Sequence, residues 1–115
     1  MLCIEKNMSK VNDTDLHYDA VIVGLGKTGL SCFRYLSNQG LNVAITDSRE
    51  EPPELLELKA EVESASVYLG QINEQVLLAS DQIILSPGVS LDNKSIKLSI
   101  ENNIPVFGDI ELFCQ

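Results

Sequence analysis

The stretch Tyr18-Asp19-Ala20-Val21-Ile22-Val23-Gly24-Leu25-Gly26-Lys27-Thr28-Gly29 decides how the rest of the chain is read. Its first half holds a continuous apolar run, Ala20 to Val23, of the kind found in a strand buried on both faces. Its second half is G-x-G-x-x-G and leads into a helix over 28–39. There Leu30, Phe33 and Leu36 recur at spacing three, and Gly40 is placed to end the helix. Glycines at such a turn have separate physical uses. One permits the tight turn, one lets an anion approach the backbone, and one lets the helix pack on the strand. The anion then meets unpaired N–H groups at the positive end of the helix dipole. The competing reading is a tight strand–helix turn that holds nothing.

Working outward, short apolar runs keep alternating with helical patterns. Asn42–Thr46 reads as a second strand that stops at Asp47. Pro52-Pro53 opens a helix over 53–63, with Leu55, Leu58 and Val62 facing inward and Glu50, Glu54, Glu57 and Glu61 on a solvated stripe. Ser66–Leu69 is a third strand, a helix lies near 73–79, and Gln82–Leu85 is a fourth strand ending in Ser86-Pro87-Gly88. Residues 93–101 form a helix with Ile96 and Ile100 one turn apart, Ile104–Phe107 is a fifth strand, and a further element begins at Asp109. Strands alternating with helices through short connections predict an α/β fold, a single Rossmann-like doubly wound domain with a five-stranded parallel sheet. The domain is expected over residues 18–115, after a polar leader over 1–17. Because a new element starts as the sequence stops, the length is expected to be one domain of a longer enzyme.

Composition narrows the function. The 115 residues carry 8 Lys+Arg against 17 Asp+Glu, a formal charge of −9, which argues against nucleic acid or an anionic membrane as partner. No apolar run is long enough for a membrane span or a signal peptide, so the cytoplasm is the expected location. Cys3, Cys32 and Cys114 are far apart and read as reduced thiols, with Cys32 a small core residue. His17 is the one histidine, so neither a metal site nor a catalytic constellation assembles. There is no G-x-x-x-x-G-K-S/T, hence no P-loop for ATP.

Two further loops are candidates. Asp47 follows Gly24 by 23 residues, where a dinucleotide-binding fold places an acid on the adenine ribose. Yet Asp47-Ser48-Arg49 is a donor–acceptor cluster equally suited to a nucleobase edge, and Asp is also a common turn residue after a strand. Ser86-Pro87-Gly88 lies at the end of the fourth strand, where ligands of open α/β sheets collect, and is also an ordinary turn sequence.

Four segments together carry a resemblance. Y-D-A-V-I-V-G-L-G-K-T-G-L-S from Tyr18, I-T-D-S-R from Ile45, L-S-P-G-V from Leu85 and V-F-G-D-I-E-L-F from Val106 are similar, in order and spacing, to the N-terminal UDP-binding domain of Mur ligases. Within that family they resemble the D-glutamate-adding members. The resemblance implies that Gly26, Lys27, Thr28 and Gly29 hold a diphosphate, with the backbone N–H of Lys27 the relevant group. It implies that Asp47, Ser48 and Arg49 meet uridine: Asp47 accepting the uracil N3–H, Ser48 donating to a ring carbonyl, Arg49 packing on the base. Ser86, Pro87 and Gly88 would border the diphosphate and sugar. It also implies two absent partner domains, a central ATPase domain and a C-terminal domain. Together they would use ATP and magnesium to join D-glutamate to UDP-N-acetylmuramoyl-L-alanine during bacterial peptidoglycan synthesis, on which cell shape and division depend. This chain would hold no cofactor and no catalytic residue, and would be inactive alone. The alternative is an NAD(P)-binding Rossmann module of a dehydrogenase or regulatory protein.

Overall fold

The computed structural model of the chain describes residues 16–61, 66–86, 89 and 92–108. The run Ala20–Val23 forms β1, with all four residues buried. Alternate side chains serve opposite faces. Ala20 and Ile22 pack with Leu30, Phe33, Leu36 and Leu58, whereas Val21 and Val23 pack with Val76, Leu77 and Ile96. Both faces are covered, so the strand needs no polar alternation.

Eight elements follow: α1 (Lys27–Asn38), β2 (Val43–Asp47), α2 (Leu55–Glu61), β3 (Ser66–Leu69), α3 (Glu74–Leu78), β4 (Ile83–Leu85), α4 (Lys94–Glu101) and β5 (Val106–Phe107). The strands make one five-stranded sheet in the order β3-β2-β1-β4-β5, every neighbouring pair parallel. Residues of α1 and α2 cover one face and residues of α3 and α4 the other, the expected doubly wound arrangement. Strand order reverses between β1 and β4, and the loops leaving these two strands part there to open a crevice.

Local chemistry sets the element ends. Gly40, at φ +85°, ends α1 and donates its N–H to the Ser37 carbonyl at 3.0 Å. Asn103 does the same for α4 at φ 65°, donating to Ile100 at 3.0 Å. The second helix starts at Leu55 rather than residue 53, because Pro52-Pro53 belong to the preceding turn, where the Leu55 N–H donates to Pro52 at 3.1 Å.

One expectation is corrected. Ile100 is 47% exposed, and Ser99 takes the buried place at 0%, its hydroxyl satisfied by the Ser95 carbonyl at 3.0 Å. The glutamate stripe is solvated as expected, and Arg34 on α1 pairs across it with both Glu57 and Glu61 on α2. Cys32 is buried in the core as expected. The leader up to residue 15, Val62, Pro87, Gly88 and the segment from Asp109 lie outside the described residues. Among the described residues, no helix is long and apolar enough to cross a membrane.

Candidate functional site

The three motif glycines have three different physical reasons. Gly24 sits at φ +101°, a backbone conformation that side-chain-bearing residues rarely adopt, and a Cβ there would lie 2.9 Å from the Ser86 Cβ. At Gly29 a Cβ would stand 2.3 Å from the Gly24 carbonyl oxygen, so α1 crosses the end of β1 only because residue 29 has no side chain. Gly26 differs from both. Its φ of −114° is open to any residue, and among the described residues nothing lies within 4 Å of where a Cβ would be. The fold therefore makes no demand for glycine at position 26; only something approaching from the crevice would.

Gly26 is also the N-cap of α1, and it offers no side chain to the first turn. By contrast, Asn73 caps α3 through Val76, and Asn93 caps α4 through Ser95 and Ile96. The N–H groups of the first turn of α1 thus keep their hydrogen-bonding capacity at the positive end of a 12-residue helix.

Strand ends on either side brace this loop. The Gly24 N–H donates to the Thr46 carbonyl at 2.8 Å, and the buried Ser86 hydroxyl donates to the Gly24 carbonyl at 2.7 Å. Asp47, only 2% exposed, accepts the Leu25 N–H on Oδ2 at 2.7 Å. Its Oδ1 accepts the Arg49 backbone N–H at 2.8 Å and the Arg49 Nε at 3.0 Å, and Oδ2 takes the Arg49 Nη2 at 2.7 Å. Burial alone would raise the Asp47 pKa. The Arg49 guanidinium and the backbone N–H groups of Leu25 and Arg49 outweigh it and hold the carboxyl below its ordinary value.

Together these parts line one crevice of about 430 Å³ beyond the C-terminal ends of β1, β2 and β4. That is within the size range of small-molecule sites. Gly26, Lys27, Thr28, Gly29, Asp47, Ser48, Arg49 and Ser86 all border it, so three loops far apart in sequence converge as expected. Pro87 and Gly88 lie outside the described residues. Two apolar walls escaped sequence reasoning, Ile72 and Val89. Ile72 is brought in by the loop after β3, which is held where the Asn73 N–H donates to the Thr46 hydroxyl at 2.9 Å. Its signal was present, because the third strand also ends on the side where ligands collect. Lys27 and Arg49 supply positive charge at the rim, while Asp47, the one acid among the described lining residues, is covered by Arg49.

A second depression, lined by Glu74, Asp92, Lys94, Lys97, Leu98 and Glu101, mixes both charge signs and has no such uncapped helix start. At the opposite ends of the strands, His17, Asp19 and Asp81 bring ligand atoms within 4.8 Å of one another, a grouping that sequence spacing did not reveal. These groups already have protein partners. His17 Nε2 lies 3.0 Å from Asp81 Oδ1, and Asp19 accepts the Asn42 N–H at 2.7 Å.

Known proteins carry the same pattern. A family model described as Mur ligase MurD-like, N-terminal domain, matches residues 18–108. The chain is 46% identical over 95 residues to the UDP-N-acetylmuramoylalanine–D-glutamate ligase of Marinobacter nauticus, covering 83% of this chain and 21% of that protein. The ligase of the same name from Nitrosococcus oceani is 43% identical over 96 residues, covering 84% of this chain and 21% of the relative. That of Psychrobacter cryohalolentis is 42% identical over 110 residues, covering 93% and 23%. The chain thus spans about a fifth of the length of these relatives.

Proposed function

The chain belongs to the MurD-like N-terminal domain family of Mur ligases, and from that membership we propose that its crevice anchors the UDP end of UDP-N-acetylmuramoyl-L-alanine. The observation that carries this reading is the conjunction at Gly26: an uncapped helix start beside a glycine that the fold itself does not require. On this reading the N–H groups of Gly26, Lys27, Thr28 and Gly29 receive the diphosphate. Ser48 and Arg49, both exposed at the rim, receive uracil, with the Arg49 guanidinium held flat by Asp47. The sugar leaves past Ser86, the residue that precedes Pro87 and Gly88 in the sequence.

In the whole ligase, ATP and magnesium act in the central domain and D-glutamate arrives with the C-terminal domain. The carboxylate of the substrate is activated as an acyl phosphate, and the amine of D-glutamate displaces phosphate to form the amide. The residues here make no bond. They hold a remote part of a large substrate so that its reacting carboxylate is fixed, and binding energy far from the chemistry lowers the barrier. The domain begins at Tyr18 after the leader of residues 1–17, and the enzyme works in the bacterial cytoplasm. With no P-loop in its sequence, the 115-residue chain is expected to release no phosphate from ATP.

The NAD(P) alternative predicts a different ligand order. In a Rossmann dehydrogenase the acid after the second strand must be open to a ribose diol. Asp47 instead spends its oxygens on Leu25 and Arg49. A side-by-side thermal-shift comparison separates the readings: UDP is expected to raise the melting temperature more than NADH. Stabilisation by NADH with none by UDP would overturn the proposal.

A further inference from the structure

We propose that Asp47 and Ser86 act together as a clamp on the single peptide unit Gly24–Leu25, and that this clamp presets the diphosphate seat whether or not a base is bound. The inference rests on the reading that the crevice takes a nucleoside diphosphate, and it gives these two residues a positioning role in place of direct ligand contact.

The two bonds involved belong to one rigid plane. Ser86 Oγ donates to the carbonyl of Gly24 at 2.7 Å, and Asp47 Oδ2 accepts the N–H of Leu25 at 2.7 Å. Carbonyl and N–H are the two ends of the same planar peptide group, so gripping both fixes its rotation. The orientation has consequences downstream. The Gly24 carbonyl oxygen lies 2.3 Å from where a Cβ on Gly29 would stand, so it limits how closely α1 approaches β1. Leu25 itself is fully buried, and Gly26, the next residue, starts the helix whose N–H groups would take the anion. A free Gly24–Leu25 peptide could rotate, since Gly24 has no Cβ to restrict it.

Asp47 has no acceptor capacity to spare, and Ser86 has no second proton to donate. The Asp47 carboxylate receives four hydrogen bonds from Leu25 and Arg49, the full complement of its two oxygens, and is 2% exposed. Ser86 is 8% exposed, with its one hydroxyl proton committed to Gly24. The two sit at the ends of β2 and β4, strands that flank β1 on opposite sides, so the clamp closes across the point where strand order reverses.

The test uses inorganic pyrophosphate as a base-free probe beside UDP, with affinities read from amide shifts of the 115-residue chain. Asp47→Ala and Ser86→Ala are each expected to weaken pyrophosphate and UDP alike, by about tenfold. The double variant should lose little more than either single one, since one broken end already frees the peptide. Asp47→Asn keeps an oxygen for the Leu25 N–H but not the charge for Arg49. It should therefore hold pyrophosphate within about threefold of wild type while still losing UDP affinity. If Asp47→Ala does not fold, Ser86→Ala and Asp47→Asn decide alone: unchanged pyrophosphate affinity in Ser86→Ala, or full loss in Asp47→Asn, overturns the clamp. So does a loss confined to UDP in Asp47→Ala, the mark of direct base contact, or a wild type that binds UDP but not pyrophosphate. Failure of wild type to bind UDP at all contradicts the underlying reading instead.

Discussion

At Gly26 and Gly29 the same substitution should have opposite consequences. Gly29→Ala forces a Cβ to 2.3 Å from a backbone oxygen that cannot move aside. It is expected to cost about 3 kcal/mol of stability by overpacking. Gly26→Ala meets nothing within 4 Å among the described residues and keeps a permitted backbone, so its stability cost should stay below about 1 kcal/mol. Its UDP affinity should nevertheless fall by tenfold or more, roughly the worth of one charge-assisted hydrogen bond. Thermal melting and ligand titration of the two variants check both halves. Asp47 adds a pH dependence. Its folded pKa lies below the ordinary 3.8, so its stabilising contribution is present above that value and is lost as pH falls through the lower, folded one. Urea unfolding between about pH 2 and 6 should show this acid loss, and Asp47→Asn should flatten it. The motif glycines and Asp47 were legible as residues because their types and spacing are characteristic. Their division of labour was not, because hydrogen bonds that join residues 22 and 62 positions apart leave no trace in local pattern.

Among the elements, the buried strands could be read almost to the residue, since a run such as Ala20–Val23 is apolar throughout only when both faces are covered. Short helices were harder. In α4, Ile96 and Ile100 look equivalent at a spacing of four, yet Ile96 is fully buried and Ile100 is 47% exposed. A helix of 8 residues beside a two-residue edge strand has room to bury only a narrow stripe, and Ser99 fills it. Truncating Ile96 to alanine is expected to cost about 2–4 kcal/mol, whereas Ile100→Ala should change stability by less than about 0.5 kcal/mol. Chemical denaturation of the pair checks the assignment of this face. The pairing of Arg34 with Glu57 and Glu61 was hidden for a related reason: α1 and α2 are separated in sequence, and only the shared sheet face brings them together.

For the whole molecule, the proposed diphosphate ligand is compatible with a charge of −9 because most of the acids lie away from the crevice. Seven of the 17 acids fall in residues 47–63, and among the described ones only Asp47 borders the crevice, covered by Arg49. On the proposed reading, anions are drawn to the crevice by an uncapped helix start and two rim cations rather than by net charge. Converging strand ends, a braced glycine loop and an exposed Ser48-Arg49 pair line one crevice, which the proposal divides between phosphate at one end and a base at the other. Titrating UDP into the isotope-labelled 115-residue chain and following every backbone amide tests this most directly. The amides of Gly26, Lys27, Thr28, Gly29, Ser48 and Arg49 should shift together along one saturating curve. A folded chain whose amides in these loops stay unmoved at millimolar UDP would contradict it.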